Sequence, residues 1–355
     1  MRFLVIISSV LIASSLFAQT PDRRFVEWDR NKDGKLSREE LPKNLQRNFN
    51  RVDADRNGFI SLAEHQRVSS SGKNRQRSRA TGIDGYQITT DIPYAATKNP
   101  RQMLDLALPE KRKSDRPLPV LAFIHGGGWR KGSKNGGLRR LAPYLEAGGY
   151  AGVSIGYRLS DEAVWPAQID DCKAAIRWLK ANAKKYDLDP TRIAVHGTSA
   201  GGHLVAMLGV TGDDQTRVAC VVDFFGPTEL LTMDDHPSKI VHNAPDSPES
   251  KLIGGAIQQN KEKTRQASPM THVSSDDAPI LIAHGTEDAL VAYPQSVDFH
   301  AMLKKSGVDS TLITVKGGGH GLGGSELQSF VTRFLAIHLL DRKDSIADRT
   351  IMNSR

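Results

Sequence analysis

From about residue 83 onward, short apolar runs alternate with amphipathic segments, and this pattern constrains the fold more than any other feature. Apolar runs that indicate buried strands lie at 119–124, 150–155, 192–195, 218–225, 279–283 and 311–315. Segments with helical periodicity lie between them, at 137–145, at 167–185 and from 200 onward. Continuous apolar strands separated by helices are typical of a mostly parallel sheet with helices on both faces.

We therefore predict an α/β fold for residues 83–342. A long irregular segment at 228–270 interrupts the alternation, and we expect it to cap the opening of a site. The polar residues 343–355 are expected to form a frayed tail.

Three motifs follow predicted strands and carry residues suited to nucleophilic catalysis. Ser199 is the central residue of a G-x-S-x-G sequence between an apolar run and a helical segment, Asp288 follows the run 279–283, and His320 follows the run 311–315. The chain order Ser, Asp, His is that of the α/β-hydrolases and differs from that of trypsin-like or subtilisin-like enzymes. We expect Ser199 to be the nucleophile, His320 the general base and Asp288 the residue that orients His320.

A glycine-rich loop, His-Gly-Gly-Gly-Trp at 125–129, follows an earlier strand and resembles an oxyanion loop. The backbone N–H groups of Gly127, Gly128 and Ala200 are expected to bind the developing oxyanion. A phosphate cradle is the alternative for this loop, but the Gly-Lys-Ser/Thr ending of a P-loop is missing. The other histidines, His125, His196, His203 and His284, are expected to support the site, lie on helix faces or lie on the surface.

Two tandem twelve-residue segments, 29–40 and 53–64, match the EF-hand loop at every ligand position. Six positions in each loop supply the predicted ligands: Asp29, Asn31, Asp33, Lys35, Ser37 and Glu40 in the first, and Asp53, Asp55, Asn57, Phe59, Ser61 and Glu64 in the second. Lys35 and Phe59 offer only their carbonyl oxygens, while the other positions offer side-chain oxygens or a water-mediated contact. Hard oxygen ligands in this number favour calcium over zinc or copper, so we predict an EF-hand pair at 19–68 with two structural calcium sites. Leu36 and Ile60 are expected to pair the loops back to back.

The first 18 residues predict a cleaved signal peptide, with a basic start, an apolar stretch too short to span a bilayer, and Ala18 before the cut. A cut after Ser15, with small residues at Ala13 and Ser15, is the alternative. Secretion or a periplasmic location is therefore expected, and no segment is long and apolar enough for a transmembrane helix. The two cysteines exclude a disulfide framework. Cys172 and Cys220 are expected to be buried hydrophobic residues, although a pair remains open in an oxidising compartment.

The net charge of +8 first suggests a nucleic-acid or anionic partner. Residues 19–82 contain 15 Lys+Arg against 9 Asp+Glu, whereas residues 83–355 contain 32 against 31. The excess therefore lies in the EF-hand pair and in a flexible linker predicted at 69–82, which is polar and basic. No nucleic-acid motif is present. We expect a solvated linker, with weak contact to anionic surfaces or polysaccharide as the alternative.

Residues 83–341 resemble the bacterial α/β-hydrolase esterases related to the hormone-sensitive-lipase group, and within it the acetylxylan or feruloyl esterase-like branch. The resemblance lies in the triad motifs and in the segments 125–129, 156–159, 165–171, 225–228 and 267–269. It implies hydrolysis of carboxylic esters in which a small acyl group is attached to an alcohol or a sugar. The expected substrates are acetyl or feruloyl esters on plant or algal polysaccharide. It also implies that the chemistry needs no cofactor.

Three alternatives stay open. A general short-chain carboxylesterase or lipase would use the same residues. A prolyl-oligopeptidase-like peptidase would usually carry a propeller, for which 355 residues leave no room. A calcium-dependent matrix or adhesion protein with an inert hydrolase domain is disfavoured because every triad element is retained.

Overall fold

A computed structural model describes residues 23–43, 45–46, 49–65 and 82–354. The chain divides into two units, with the boundary between Ala80 and Thr81. The predicted signal peptide, 1–18, and residues 69–81 of the predicted linker lie outside the described residues.

The first unit is a pair of loops joined by a two-stranded ribbon. Its elements are α1 (Arg23–Trp28), β1 (Lys35–Leu36), α2 (Phe49–Val52) and β2 (Ile60–Ser61). β1 and β2 pair antiparallel, and Leu36 lies opposite Ile60 as the loop pattern predicts. Around them a small core buries Phe25, Leu41 and Phe49. The ribbon thus fixes the two loops to each other through their own hydrophobic residues.

The second unit is built on a nine-stranded sheet among the described residues. Its strands are β3 (Tyr86–Pro93), β4 (Met103–Pro109), β5 (Leu118–Ile124), β6 (Ala151–Ile155), β7 (Leu188–Thr198), β8 (Cys220–Phe224), β9 (Ile280–Gly285), β10 (Ser310–Lys316) and β11 (Arg349–Met352). Their order is β11-β10-β9-β8-β7-β5-β6-β4-β3. β4 pairs antiparallel with β3 and with β6, and the other neighbours are parallel. The mostly parallel sheet predicted from the alternation is confirmed.

Helices cover both faces of this sheet. They are α3 (Gly137–Gly148), α4 (Ala167–Ala181), α5 (Ala183–Tyr186), α6 (Ala200–Val210), α7 (Pro248–Ile253), α8 (Lys261–Gln266), α9 (Pro294–Lys305) and α10 (Ser325–Leu340). Along β5, Val120 and Ala122 pack into one buried cluster with α4, α6 and α9, while Leu121 and Phe123 pack into the other with α3 and α10. Because successive side chains of a strand point to opposite faces, an unbroken apolar run is the expected signature of a sheet buried on both sides.

The segment between β8 and β9 is more ordered than its sequence suggests. It contains α7, α8 and three short 3₁₀ helices at Leu230–Asp235, Ile257–Gln259 and Pro269–His272. Ser247 caps α7 by accepting a hydrogen bond from the Ser250 N–H, and Pro248 stands in its first turn. Short capped helices of this kind carry little periodic signal, which is why the segment reads as irregular.

The frayed tail expected at 343–355 is wrong. Residues 349–352 form β11, which pairs in parallel with β10. Ile351 is buried while the other three side chains of the strand are exposed. A single buried residue on an edge strand leaves the composition polar, so the sequence pattern hides the strand.

The helix expected at 167–185 is interrupted at Asn182, where α4 ends and α5 begins. Cys172 on α4 and Cys220 on β8 are both buried and both free. In the part of the chain that the structure describes, no helix has the length and apolar character needed to cross a membrane.

Candidate active site

Ser199 occupies a sharp turn between β7 and α6. Its backbone has φ 57° and ψ −125°, a left-handed conformation that L residues rarely adopt. The flanking glycines allow the turn, because a Cβ on Gly197 would lie 2.1 Å from the Gly201 carbonyl oxygen, and one on Gly201 would lie 2.1 Å from the Ile124 oxygen. The G-x-S-x-G spacing is therefore a steric requirement of this strand–turn–helix.

The structure brings the three predicted triad residues together. His320 Nε2 lies 2.9 Å from Ser199 Oγ, and His320 Nδ1 lies 2.8 Å from Asp288 Oδ2. Because a carboxylate only accepts hydrogen bonds, Nδ1 carries the ring proton, and Nε2 is left to accept the hydroxyl hydrogen of Ser199. This is the tautomer that a general base needs.

Asp288 is fully buried, and several donors hold its charge. Burial by itself would raise the pKa of this carboxyl, but hydrogen bonds from His284 and His320 outweigh it and hold the pKa well below its usual range. The backbone N–H groups of Leu290 and Val291 add two further bonds to Oδ1, at 2.9 and 3.1 Å. The carboxylate therefore stays ionised and fixed in place. Its neighbour Glu287 is exposed.

His284, one of the histidines expected outside the triad, supports the site by contacting the triad carboxylate. Its Nε2 lies 3.3 Å from Asp288 Oδ2 and 2.9 Å from the Val291 carbonyl oxygen. A carbonyl can only accept, so Nε2 carries the proton and can donate to both oxygens, while Nδ1, at 2.7 Å, accepts from Ser296 Oγ. The four-residue spacing to Asp288 on one strand–loop segment is the signal that could have pointed to this contact.

The glycine loop borders the nucleophile. Gly127 and Gly128 have φ of 115° and 59°, and a Cβ on Gly126 would lie 3.2 Å from Ser199 Cβ. Neither the Gly127 nor the Gly128 N–H donates to another backbone group of the described residues. Gly127, Gly128 and Ala200 line the same cavity as Ser199 and His320. The N–H groups assigned to the oxyanion from sequence thus border the site of attack.

Two histidines outside the triad anchor this loop. Trp129 Nε1 donates to His203 Nδ1 at 3.2 Å, and His203 Nε2 lies 2.6 Å from the Ala267 carbonyl oxygen. Tyr157 donates to the His125 carbonyl at 2.9 Å and stacks on the His125 ring. The loop is therefore tied to α6, which carries Ser199 at its start.

The cavity over Ser199 has a volume of about 1070 Å³. Residues of the 228–270 segment form part of its wall, among them Ile240, His242, Pro248 and Glu249. His242 Nδ1 and Glu249 Oε2 lie 3.1 Å apart, and both side chains are buried. Burial would lower the pKa of His242, but its contact with Glu249 raises it instead. Sequence patterns gave no signal for this pair, because its two residues join only when the segment folds over the cavity.

The second EF-hand loop holds its carboxylates in the arrangement expected of a cation site. In the second loop, oxygens of Asp53, Asp55 and Glu64 lie within 4.8 Å of one another. The Gly58 N–H donates to Asp53 Oδ2, and hydrogen bonds from Ser61 dominate the environment of Glu64 and lower its pKa to about 2. Ionised oxygen ligands converging on one point fit calcium.

The first loop repeats these contacts. The Gly34 N–H donates to Asp29 Oδ2, and the Ser37 N–H donates to Glu40 Oε2, which lowers the pKa of Glu40. The remaining predicted ligands lie on the same two loops: Asn31, Asp33 and Lys35 on the first, and Asn57 and Phe59 on the second. Lys35 Nζ lies 4.1 Å from the centroid of the Phe59 ring, so the two loops also touch at this position.

Comparison with known proteins identifies both parts of the chain. The family model described as BD-FAE matches residues 104–303, which is more than half of the chain. The chain belongs to the BD-FAE family. A second model, described as EF hand, matches residues 22–43 and 45–69, outside the BD-FAE match.

The relatives of the BD-FAE domain include esterases. The chain is 34% identical over 199 residues to a probable carboxylic ester hydrolase, LipM, of Mycobacterium tuberculosis, which covers 53% of this chain and 45% of that protein. It is 32% identical over 235 residues to the esterase LipC of the same organism, covering 63% of this chain and 57% of the relative. The chain thus spans about half the length of the curated relatives it matches.

A solved structure described as a truncated form of a carbohydrate esterase from gut microbiota matches with a TM-score of 0.67 and 33% identity. The match covers 74% of this chain and 99% of that one. Together with LipM and LipC, it makes the BD-FAE domain an α/β-hydrolase domain of the carboxylesterase type. Its arrangement of hydroxyl, imidazole and carboxylate beside free backbone N–H groups is suited to acyl transfer.

Proposed function

We propose that this protein is a serine esterase that hydrolyses carboxylic esters through an acyl-enzyme. The observation that carries the proposal is the continuous chain from Ser199 Oγ to His320 at 2.9 Å and from His320 to Asp288 at 2.8 Å, at the wall of an open cavity. Membership of the BD-FAE family and the esterase relatives support the same class of reaction.

Each step of the reaction has a residue in place. Ser199 Oγ attacks the ester carbonyl carbon and gives its proton to His320 Nε2, while Asp288 stabilises the imidazolium that results. The N–H groups of Gly127, Gly128 and Ala200 bind the oxyanion. The imidazolium then protonates the departing alcohol oxygen. Water attacks the acyl-enzyme in the same way and releases the carboxylic acid together with a regenerated Ser199.

For the substrate we propose acetyl or feruloyl esters on plant or algal polysaccharide. The resemblance of the sequence to acetylxylan and feruloyl esterase-like enzymes supports this, as does the similarity to the carbohydrate esterase from gut microbiota. A cavity of about 1070 Å³ has room for an acyl group together with part of a sugar chain. A general short-chain carboxylesterase or lipase is the second candidate, favoured by the relation to LipM and LipC.

We also propose that the protein is secreted and that calcium stabilises its first unit. The signal-like residues 1–18 support secretion. The two EF-hand loops would hold one calcium ion each through the ligands given above, and the ion would supply only structural cross-linking of carboxylates. The polar residues 69–82 would link the units, and their excess of Lys and Arg offers weak contact with anionic surfaces.

The test of the nucleophile is Ser199→Ala, assayed on 4-nitrophenyl acetate. We expect the hydrolysis rate to fall by about a thousandfold or more, with no change in thermal stability, because the hydroxyl is the group that forms the acyl-enzyme. Ser306→Ala, at the far end of α9, is the matched control. A serine-directed phosphonate should add to Ser199 in the wild type and leave the Ala variant unmodified in intact-mass spectra. Activity that survives Ser199→Ala would disprove the assignment.

The proposed substrate class is tested with a set of esters and one amide. Acetylated xylan, methyl ferulate, 4-nitrophenyl esters of short and long acids, and a proline amide should be compared by kcat/KM. Preference for the acetylated polymer or for methyl ferulate supports the carbohydrate proposal. Preference for the simple short-chain esters favours the second candidate, and cleavage of the amide favours a peptidase.

A further inference from the structure

Positive charge surrounds the cavity over Ser199. Arg130 and Lys131, which follow the glycine loop, and Arg140 on α3 all line it. Glu249 is the single acidic residue among the described residues of the cavity wall. We propose that the ester substrate carries an anionic group, a carboxylate or a sulfate, that these three cations bind. This inference rests on the esterase function proposed above and narrows its substrate class.

The three cations are free to bind a ligand. All three side chains are exposed, and none forms an ion pair with a carboxylate in the described part of the chain. Arg130 reaches only the backbone oxygen of Asp246, at 3.4 Å, and the Arg140 guanidinium lies 5.9 Å from the Phe123 ring centroid. Asp246 is exposed and does not line the cavity, so Glu249 is the one carboxylate of the cavity wall among the described residues.

The one acid of the wall does not neutralise them. Glu249 lies 3.1 Å from His242 inside the 228–270 segment, and both side chains are buried. The contact raises the pKa of His242, so the carboxylate is shared with a group that can itself be positive. The cavity therefore keeps an excess of positive charge.

General basicity does not explain this excess. Residues 83–355 contain 32 Lys+Arg against 31 Asp+Glu, so the domain as a whole is almost neutral. Three cations that form no ion pair among the described residues therefore lie together at the cavity of a domain whose total charge is almost zero. The positive charge is concentrated locally at the cavity. Low-dielectric walls around such a cleft focus the field on a ligand of opposite charge.

The start of α3 strengthens the same field. Gly137, its first residue, lines the cavity, and the preceding Gly136 gives no side-chain cap. No acidic residue occupies the first turn. The positive end of the helix dipole is therefore left uncompensated beside Arg140. Arg130 and Arg140 offer planar donors that match a carboxylate or sulfate, and Lys131 adds a mobile charge.

The experiment compares esters that differ in charge. The anion on the alcohol side is tested with 4-acetoxybenzoate against its methyl ester, and the anion on the acyl side with mono-4-nitrophenyl adipate against 4-nitrophenyl hexanoate. For each pair the quantity measured is the ratio of kcat/KM for the anionic ester to that for the neutral one, each corrected for its rate of alkaline hydrolysis. The pair with the higher ratio shows on which side of the ester the anion lies.

Salt tests the inference in the unchanged protein. Raising the ionic strength from about 0.01 M to about 1 M shortens the Debye length from about 30 Å to about 3 Å. We expect the ratio for one pair to fall by about five- to tenfold over this range, through KM. A ratio that does not depend on salt for either pair would overturn the proposal.

Single substitutions then assign the effect to residues. Arg130→Gln, Lys131→Gln and Arg140→Gln should each lower the ratio by about two- to fivefold, the size of one partly exposed charge contact, and Arg140→Lys should restore part of it. Lys305→Gln, an exposed cation at the end of α9 that does not line the cavity, should leave the ratio unchanged. If all three Gln variants keep the wild-type ratio, the cations do not bind the substrate. If Ser199 is needed for hydrolysis of neutral esters but anionic esters are not preferred, only the proposed anion binding is wrong. If hydrolysis does not depend on Ser199, the proposed esterase function is wrong as well.

Discussion

Each EF-hand loop takes its candidate ligands from twelve consecutive residues, whereas the hydrolase site takes its groups from four loops spread between His125 and His320. In the loops, ligand side-chain oxygens accept hydrogen bonds from backbone N–H groups two, four or five residues further along the chain, as Asp53 does from Gly58. In the hydrolase site, Ser199, Asp288 and His320 meet only because parallel strands end at one edge of the sheet. A local site is thus specified by its own sequence, and a distributed one is specified by the whole fold.

The cores behind the two sites differ as well. Among its described residues, the first unit buries five hydrophobic side chains in a single cluster, Leu36 and Ile60 included. The second buries large clusters on both faces of its sheet. A unit with so small a core gains much of its stability from a bound ligand, and a unit with a large one does not. Calcium binding should therefore set the stability of the first unit. The active site of the second unit, in contrast, should depend on the stability that its large core provides.

Removing a metal ligand tests this contrast most strongly. Glu64→Gln should lower the calcium affinity of the second loop by about tenfold or more, because it removes a carboxylate oxygen from a cluster that spans 4.8 Å. Calorimetric titration of the full chain with calcium measures the loss, and Glu39→Gln, an exposed neighbour of Glu40, is the control. Hydrolysis of a neutral ester should not change in either variant or on chelation. A parallel fall in turnover would show that the two units are coupled.

A smaller effect is expected at His284, which contacts the triad carboxylate in the hydrolase site. His284→Ala should lower kcat by about tenfold with little change in KM, the equivalent of one hydrogen bond to a charged group. His284→Gln keeps a donor and should restore part of the rate, while Ser296→Ala, which frees only Nδ1, should fall between the wild type and the Ala variant. If all three variants lose kcat and thermal stability to the same extent, His284 contributes only to packing and its hydrogen bond to Asp288 does not affect catalysis.

The smallest effect concerns a buried acid in the second unit. Asp223 on β8 is fully buried, and burial outweighs its hydrogen bond from Gly226 and raises its pKa to about 7. The folded protein therefore holds a proton on Asp223 at pH values where the unfolded chain has lost it, so this group costs stability as pH rises from about 4 to about 7.

Asp223→Asn removes that cost, since an amide is neutral and can still accept from Gly226. Its melting temperature should exceed that of the wild type by about 5 °C at pH 8, and the advantage should shrink toward pH 4. Asp298→Asn, on the exposed face of α9, is the matched control. Melting temperatures of the variant and the wild type are measured between pH 4 and pH 8. A difference in melting temperature that does not change with pH would contradict the raised pKa of Asp223.

Much of both sites could be predicted because their residues stand in motifs with steric or ligand requirements. The Gly197 and Gly201 positions follow from the turn at Ser199, and Gly34 and Gly58 follow from the loop geometry. Leu36 opposite Ile60 was also predictable, since one loop position fixes the pairing.

The contacts absent from the sequence-based expectations join side chains that meet in the folded chain, and only the His284–Asp288 contact has a signal in the sequence, its four-residue spacing. His284 reaches Asp288 because the loop after β9 folds back on its own strand. His242 meets Glu249 because the turn that carries His242 lies against α7. Residues 349–352 do not stand out as a strand in the polar segment 343–355, since an edge strand is held by its backbone and needs only Ile351 to face the core.

That last strand has a consequence for the catalytic base. The Asn353 N–H donates to the Lys316 carbonyl, and its side-chain amide donates to the carbonyl of Gly317, where the loop that carries His320 begins. At the far end of the same loop, a Cβ on Gly324 would lie 2.3 Å from Ser354 Oγ. The final residues thus brace both ends of the loop that presents the imidazole. Substitutions that weaken the backbone pairing of β11 or the bonds of Asn353 would therefore lower the catalytic rate, although these residues do not line the cavity over Ser199.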